Sequence, residues 1–310
     1  MGRYMVNENP LVEEKKAFDL ARRSHLSRPT KLHLSGVSKA FRSTNGTTTL
    51  ALQDINFGVK EGEFVCIVGP SGCGKTTLLN IIAGLDRAGC GDVLCNGKRV
   101  KGPGSDRIVM FQESVLFPWL TVRKNIEIGL KSKGLSREAR RAKAMDFLKL
   151  VHLTRFADAH PHELSGGMRQ RVALARSLAM DPEILLMDEP FSALDAQTRW
   201  ILHYELQNAW QKTGKTVLFV THNIREAVCL ADRVIVFSSR PGRIKREYYI
   251  DLPRPRDDSS VEVAALAGEI MELLRGEIEK VMKEELDEGS CEECEVKCVG
   301  VSPDDGNSKK

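Results

Sequence analysis

The sequence predicts an α/β fold with a mainly parallel sheet, an antiparallel β portion and a separate helical portion. Three observations lead there. Apolar runs at residues 184–187, 217–220 and 234–237 are continuous rather than alternating, the pattern of parallel strands covered on both faces. Helical stretches alternate with these runs. Residues 92–100 hold an Asn96-Gly97 turn between two short arms, a hairpin signal.

Taken in order, residues 1–30 form a polar extension of mixed charge, with a short helix possible over 11–24 and a linker around Pro29. Strand patterns begin at Leu32-His33-Leu34 and recur at Leu50, Leu52, Ile55, Phe57 and Val59. A further strand, Phe64-Val65-Cys66-Ile67-Val68, leads into a glycine-rich loop and a helix-compatible stretch from Thr77. Ile108-Val109-Met110-Phe111 reads as a strand. Residues 121–158 turn helical, with Leu148, Val151 and Leu153 facing inward, and Ser165 opens a second helix that runs to Met180. The main domain spans 31–256, with its helical subdomain at about 113–170. The Leu252-Pro253-Arg254-Pro255-Arg256 segment breaks the chain. Beyond it, 257–310 reads as an amphipathic helix over 261–286, with Ile270, Leu274, Ile278, Val281 and Met282 on one side, followed by a disordered acidic tail. Removing 257–310 is then expected to spare basal activity.

Composition narrows the function classes. The 310 residues are 42% hydrophobic and 28% charged, and no apolar run approaches the length of a membrane span. No secretory signal is visible, so the eight cysteines suggest a reducing compartment rather than a disulfide framework. The net charge of +4 is uneven: 257–310 carries −10 and the rest +14. A basic body suits phosphate ligands or a membrane-proximal face.

Gly69-Pro70-Ser71-Gly72-Cys73-Gly74-Lys75-Thr76 lies between an apolar strand and a helix that continues through Thr77. This is the complete context of a P-loop, which names its ligand as a nucleoside triphosphate with magnesium. The glycines allow backbone N–H groups to curl around phosphate oxygens, and the helix N-terminus adds donors and a positive dipole end. Lys75 would neutralise the β- and γ-phosphates, and the Thr76 hydroxyl would ligate Mg2+.

Leu164-Ser165-Gly166-Gly167 opens a helix with a serine N-cap and two glycines, a second anion-friendly tip in the same chain. Ile184-Leu185-Leu186-Met187 ends in Asp188 and Glu189. Ligands of α/β sheets lie beyond strand carboxyl ends, so Asp188 is placed to hold Mg2+ and Glu189 to polarise a water. Gln112 and His222 each follow a strand. The first could coordinate Mg2+ or orient water, and the second could donate to a γ-phosphate.

This set, completed by Ser192-Ala193-Leu194-Asp195, resembles the ATP-binding cassette ATPases over residues 31–251. The resemblance implies a P-loop core with an antiparallel β subdomain and a helical signature subdomain. It implies a head-to-tail homodimer, or a pair with a similar ATPase, with ATP between one P-loop and the partner copy's Ser165, Gly166 and Gly167. Lys75, Gln112, Glu189 and His222 would be catalytic, with Glu189 as the base. Asp195 would act across the dimer, and Phe41 would stack on adenine. Gln112 would couple the site to a helical subdomain touching a membrane permease.

Leu116-Phe117-Pro118-Trp119-Leu120-Thr121-Val122, Gly166-Gly167-Met168-Arg169-Gln170-Arg171 and Leu252-Pro253-Arg254-Pro255-Arg256 are similar to the nitrate/sulfonate/taurine importer group. That implies a peripheral ATPase on the cytoplasmic face of the cell membrane. It would power uptake of a small oxyanion through a separate permease, with a solute-binding protein as an indirect partner and no nucleic acid. Trp119 reads either as a permease contact or as core. An exporter, a lipoprotein-release ATPase and a soluble non-transport cassette are the competing assignments. Cys291, Cys294 and Cys298 form a cluster one ligand short of a closed zinc site, and reduced thiols in a tail are the simpler alternative.

Overall fold

The structure, a computed structural model, describes residues 28–43, 46–192 and 194–286. The proposed helix at 11–24 and the cysteines at 291, 294 and 298 lie outside the described residues.

Two sheets form the frame. The long strands β1 (Thr30–Arg42) and β2 (Thr48–Lys60) pair antiparallel, and β4 (Cys90–Cys95) with β5 (Lys98–Arg99) completes a four-stranded antiparallel sheet in the order β2-β1-β4-β5. The expected hairpin is present. Asn96 and Gly97 both take positive φ, 49° and 72°, as a tight primed turn requires.

The second sheet has six strands in the order β10-β9-β3-β8-β7-β6. Strands β3 (Phe64–Val68), β6 (Arg107–Met110), β7 (Ile184–Asp188), β8 (Thr216–Val220) and β9 (Arg233–Phe237) are parallel. Their alternation shows why the apolar runs are continuous. Val65, Ile67, Ile184, Leu186, Leu218 and Val220 face one core, shared with the antiparallel sheet and helix α1 (Lys75–Ala83). Phe64, Cys66, Val68, Leu185, Met187 and Phe219 face the other, which the remaining helices cover. Full burial of each large side chain contributes about 1.5–3 kcal/mol, so neither face tolerates a polar residue in mid-strand.

The stretch at 121–158 is two helices, α2 (Val122–Ser132) and α3 (Arg137–Leu150), capped by the hydroxyls of Thr121 and Ser136. Leu148, Val151 and Leu153 are buried there as expected. Helix α4 (Gly166–Ala179) is capped by Ser165. Helices α5 (Ala196–Thr213) and α6 (Ile224–Leu230) follow β7 and β8.

Three features depart from the sequence expectations. The run at 234–237 leads not into a helix but into β10 (Ile244–Tyr249), which pairs antiparallel with β9 at the sheet edge. Its Lys-Arg-Glu-Tyr-Tyr composition carries no apolar run to flag it. Helix α7 (Val261–Leu286) buries Val263, Ala267, Ile270 and Leu274 in the main core, so its removal strips core residues rather than an appendage. Ile278, expected inward, is 36% exposed, and Glu277 takes the buried position instead. The inward stripe of α7 ends on a polar contact with the turn after β9 rather than on another aliphatic residue.

The Pro-Arg segment does more than end the domain. The Arg256 guanidinium is buried and donates to the carbonyls of Leu252, Val228, Ala231 and Ile250. It thereby satisfies the otherwise orphaned carbonyls at the end of α6. Arg254 stacks on Trp210, 4.4 Å from the ring centroid, and pairs with Asp232 at 2.8 Å. Arg256→Ala would leave several buried acceptors unpaired at about 1–3 kcal/mol each before water enters. A loss of about 3–5 kcal/mol in urea unfolding is expected, with little recovery in Arg256→Lys, because one ammonium cannot span four carbonyls.

Candidate active site

The P-loop leaves β3 and enters α1 in a geometry that only glycine permits at two points. Gly72 and Gly74 take φ of 73° and 95°. A Cβ on Gly74 would stand 2.8 Å from the carbonyl oxygen of Ala51, so the loop is pressed against β2. Lys75, buried to 6% exposure, turns its ammonium onto the carbonyls of Gly69 and Pro70, both at 2.9 Å. These bonds hold the lysine over the loop, where incoming phosphate oxygens can replace the carbonyls.

Thr76 Oγ1 donates to Asp188 Oδ1 at 3.2 Å, joining the start of α1 to the end of β7. Burial pushes the Asp188 carboxyl above its ordinary value, and the neighbouring Glu189 charge adds to the effect. A hydroxyl and a desolvated carboxylate beside a phosphate cradle form an oxygen donor set suited to Mg2+. The residues present therefore fit a magnesium triphosphate.

Glu189 has φ of 43°, a strained backbone for a non-glycine residue. Its Oε2 lies 2.8 Å from His222 Nδ1. His222 stands at the mouth of β8, where the turn is braced from beneath. The Thr221 hydroxyl donates to buried Glu226, which also meets His203 Nε2 at 2.7 Å. Gln112 Nε2 donates to Ser192 Oγ at 3.0 Å, and Ser192 Oγ donates to the Glu189 carbonyl, also at 3.0 Å. Gln112 is thus joined to the Glu189 turn, while its metal role rests on its place after β6 in the sequence.

A cleft of about 420 Å³ gathers Ser71, Gly72, Lys75, Thr76, Thr77 and Glu189 with half-exposed Phe41. Phe41 is placed to meet a ligand, although Lys39 already stands 5.0 Å over its ring. Ser165, Gly166 and Gly167 do not line this cleft within one chain. Ser165 and Gly166 are exposed, and Ser165 Oγ accepts from the Met168 amide at 3.3 Å. Asp195 caps α5, accepting from the Thr198 amide and hydroxyl at 2.9 and 2.7 Å. Those bonds hold the Asp195 carboxyl below its ordinary value. Gln170 of α4 donates to the Pro190 carbonyl, which ties the serine-glycine helix to the turn after Glu189.

Sequence reasoning missed Arg240, which lines the same cleft and donates to the Gly72 carbonyl. Its position at the carboxyl end of β9 was the available signal. Trp119 is 71% exposed, which settles it as surface rather than core. Buried Asn125 holds its loop through Phe117 and Leu120.

A glycine-rich loop with Lys75 and Thr76, sharing its cleft with a carboxylate bonded to an imidazole, suits one class of chemistry, nucleoside triphosphate hydrolysis on a P-loop core. The ABC transporter family matches residues 52–192. An uncharacterised ABC transporter ATP-binding protein of Methanocaldococcus jannaschii is 55% identical, over 82% of this chain and 94% of that protein. The nitrate import ATP-binding protein of Synechocystis is 51% identical, over 72% and 83%. The taurine import ATP-binding protein of Rhizobium johnstonii is 44% identical, over 79% and 95%. A dimeric ATP-binding cassette solved in a post-hydrolysis state with ADP and phosphate superposes with a TM-score of 0.63 at 37% identity, over 71% of this chain and 98% of that one. The chain belongs to the ABC transporter family and is an ATP-binding, ATP-hydrolysing subunit of it.

Proposed function

We propose that this subunit powers import of a small oxyanion of the nitrate, sulfonate or taurine kind through a separate permease. The observation that carries the ATPase half is a cleft lined by Lys75, Thr76 and Glu189, in which Glu189 is bonded to His222 and Thr76 to Asp188. The import half is supported by the relatives named for nitrate and taurine import.

Two copies would meet head to tail, so that the exposed Ser165-Gly166 tip of one completes the cleft of the other. Lys75 would bind the terminal phosphates, and Thr76 and Asp188 would hold Mg2+, with Gln112 completing its donors. The bound ion would supply Lewis-acid stabilisation of charge on the transferring phosphoryl group. Glu189 would orient a water and accept its proton, and His222 would hold the Glu189 carboxylate in place through Nδ1. Asp195 would contact the opposite copy, and Phe41 would stack on the base.

The chain would sit on the cytoplasmic face of the membrane. No described helix is long and apolar enough to cross a membrane. Exposed Trp119 and Val115, on a loop fixed by Asn125 and by Arg176 donating to the Val115 carbonyl, would form the permease contact. Trp119→Ala is expected to leave basal ATPase within about twofold while abolishing most stimulation by the permease, because aromatic anchors dominate interface energies. In vesicles holding the permease and a loaded solute-binding protein, labelled taurine or nitrate should accumulate on the ATP side. Movement away from ATP would mean export.

A further inference from the structure

The turn joining β9 to β10, residues 238–243, lies against the P-loop and is gripped on its other side by α7. On the P-loop side, Arg240 Nε and Nη2 donate to the Gly72 carbonyl at 3.3 and 3.2 Å. Gly242 packs so closely that a Cβ there would stand 2.1 Å from the Cys73 carbonyl oxygen. Its amide and carbonyl bond to Ala51 and Gln53 of β2, at 2.9 and 3.0 Å. On the α7 side, Glu277 is 2% exposed. Its Oε2 accepts from the Ser239 amide at 2.9 Å and the Ser239 hydroxyl at 3.1 Å, while its Oε1 meets the Lys245 ammonium.

A continuous line of contacts therefore runs from the C-terminal helix to the phosphate cradle: Glu277, Ser239, Arg240, Gly72. The last link has a chemical meaning. The peptide joining Gly72 to Cys73 is a rigid plane. Holding its carbonyl outward fixes the direction of the Cys73 N–H on the opposite edge. That N–H now makes a long 3.4 Å bond to the Pro70 carbonyl, which a phosphate oxygen can displace. Arg240 also brings a permanent positive charge to the wall of the cleft that holds Lys75.

We propose that Arg240 is a nucleotide-affinity residue and that Glu277, through Ser239, positions it, so that α7 sets how tightly the cassette holds its triphosphate. The inference rests on the assignment of this cleft to MgATP. It gives the C-terminal helix a role at the site, which neither the P-loop motif nor the helix pattern indicates.

The test is equilibrium titration of the full chain with a fluorescent ATP analogue and Mg2+, beside thermal unfolding without nucleotide. Arg240→Ala is expected to weaken binding about tenfold, the scale of one charged hydrogen bond to a ligand site. Glu277→Ala should weaken it in the same direction, about three- to tenfold. The double variant should bind no more weakly than Arg240→Ala alone, because both act through one contact. Lys245→Ala keeps the Ser239 bonds and should bind within about twofold of wild type, which separates positioning from loss of the buried ion pair. Ser239→Ala replaces Glu277→Ala if the latter unfolds. Wild-type affinity in Arg240→Ala, or fully additive losses in the double variant, would overturn the proposal. Lys75→Ala provides the separate control: a wild-type chain that binds no better than Lys75→Ala would instead refute the assignment of the cleft.

Discussion

Glu189→Gln is expected to lower ATP turnover by about 10²–10⁴-fold, the range for loss of a general base, while nucleotide binding persists. The amide keeps the size of the carboxylate and can still accept from His222 Nδ1, so the turn after β7 should hold its shape. What it cannot do is take a proton from water. Among the described residues that line the cleft, Glu189 is the one carboxylate. Phosphate release would measure the loss, and size-exclusion chromatography with ATP should show a longer-lived pair of copies. Turnover within a factor of ten of wild type would remove Glu189 from the role of base.

Gly167→Ala is expected to be nearly as damaging, although it adds one methyl group. The new Cβ would stand 2.2 Å from Thr198 Cγ2. Threonine cannot swing that methyl aside without taking its hydroxyl off the Asp195 carboxylate, which it meets at 2.7 Å. Helices α4 and α5 must then separate, an overpacking cost of about 1–3 kcal/mol. Both the Ser165 tip and the Asp195 cap would move, so ATP-dependent pairing and turnover should fall at least about tenfold, the equivalent of 1.4 kcal/mol. Adding Thr198→Ser removes the clashing methyl and keeps the hydroxyl, and it should restore most of the activity. A rescue that fails, in a variant that remains folded, would locate the damage elsewhere than this contact.

Much of this architecture was legible in the sequence, for physical reasons. Parallel strands covered on both faces must be apolar at every position, so β3, β7, β8 and β9 announced themselves. The Asn96-Gly97 turn and the Ser165 cap are local signals and held. Less legible was anything fixed by contacts distant in the chain. β10 carries Lys-Arg-Glu followed by two tyrosines, a composition that an edge strand tolerates and that gives no apolar run. Arg240 and Gly72 are 168 residues apart in sequence, and no local pattern links them. Ile278 fits the helical stripe, yet α7 meets a polar turn there, so Glu277 is buried instead. The Pro-Arg segment gave its position but not its chemistry, since the four carbonyls that Arg256 gathers come from two separate stretches of chain.

The charged outer border of the six-stranded sheet bears on how copies of this protein meet. β10 offers Lys245, Arg246 and Glu247 where an aliphatic strand would invite another chain to extend the sheet. Stacking strand against strand would draw these charged side chains, now ion-paired with Glu277, Glu269 and Arg233, into a narrow, poorly hydrated seam. Self-association by lateral growth of the sheet is thereby discouraged.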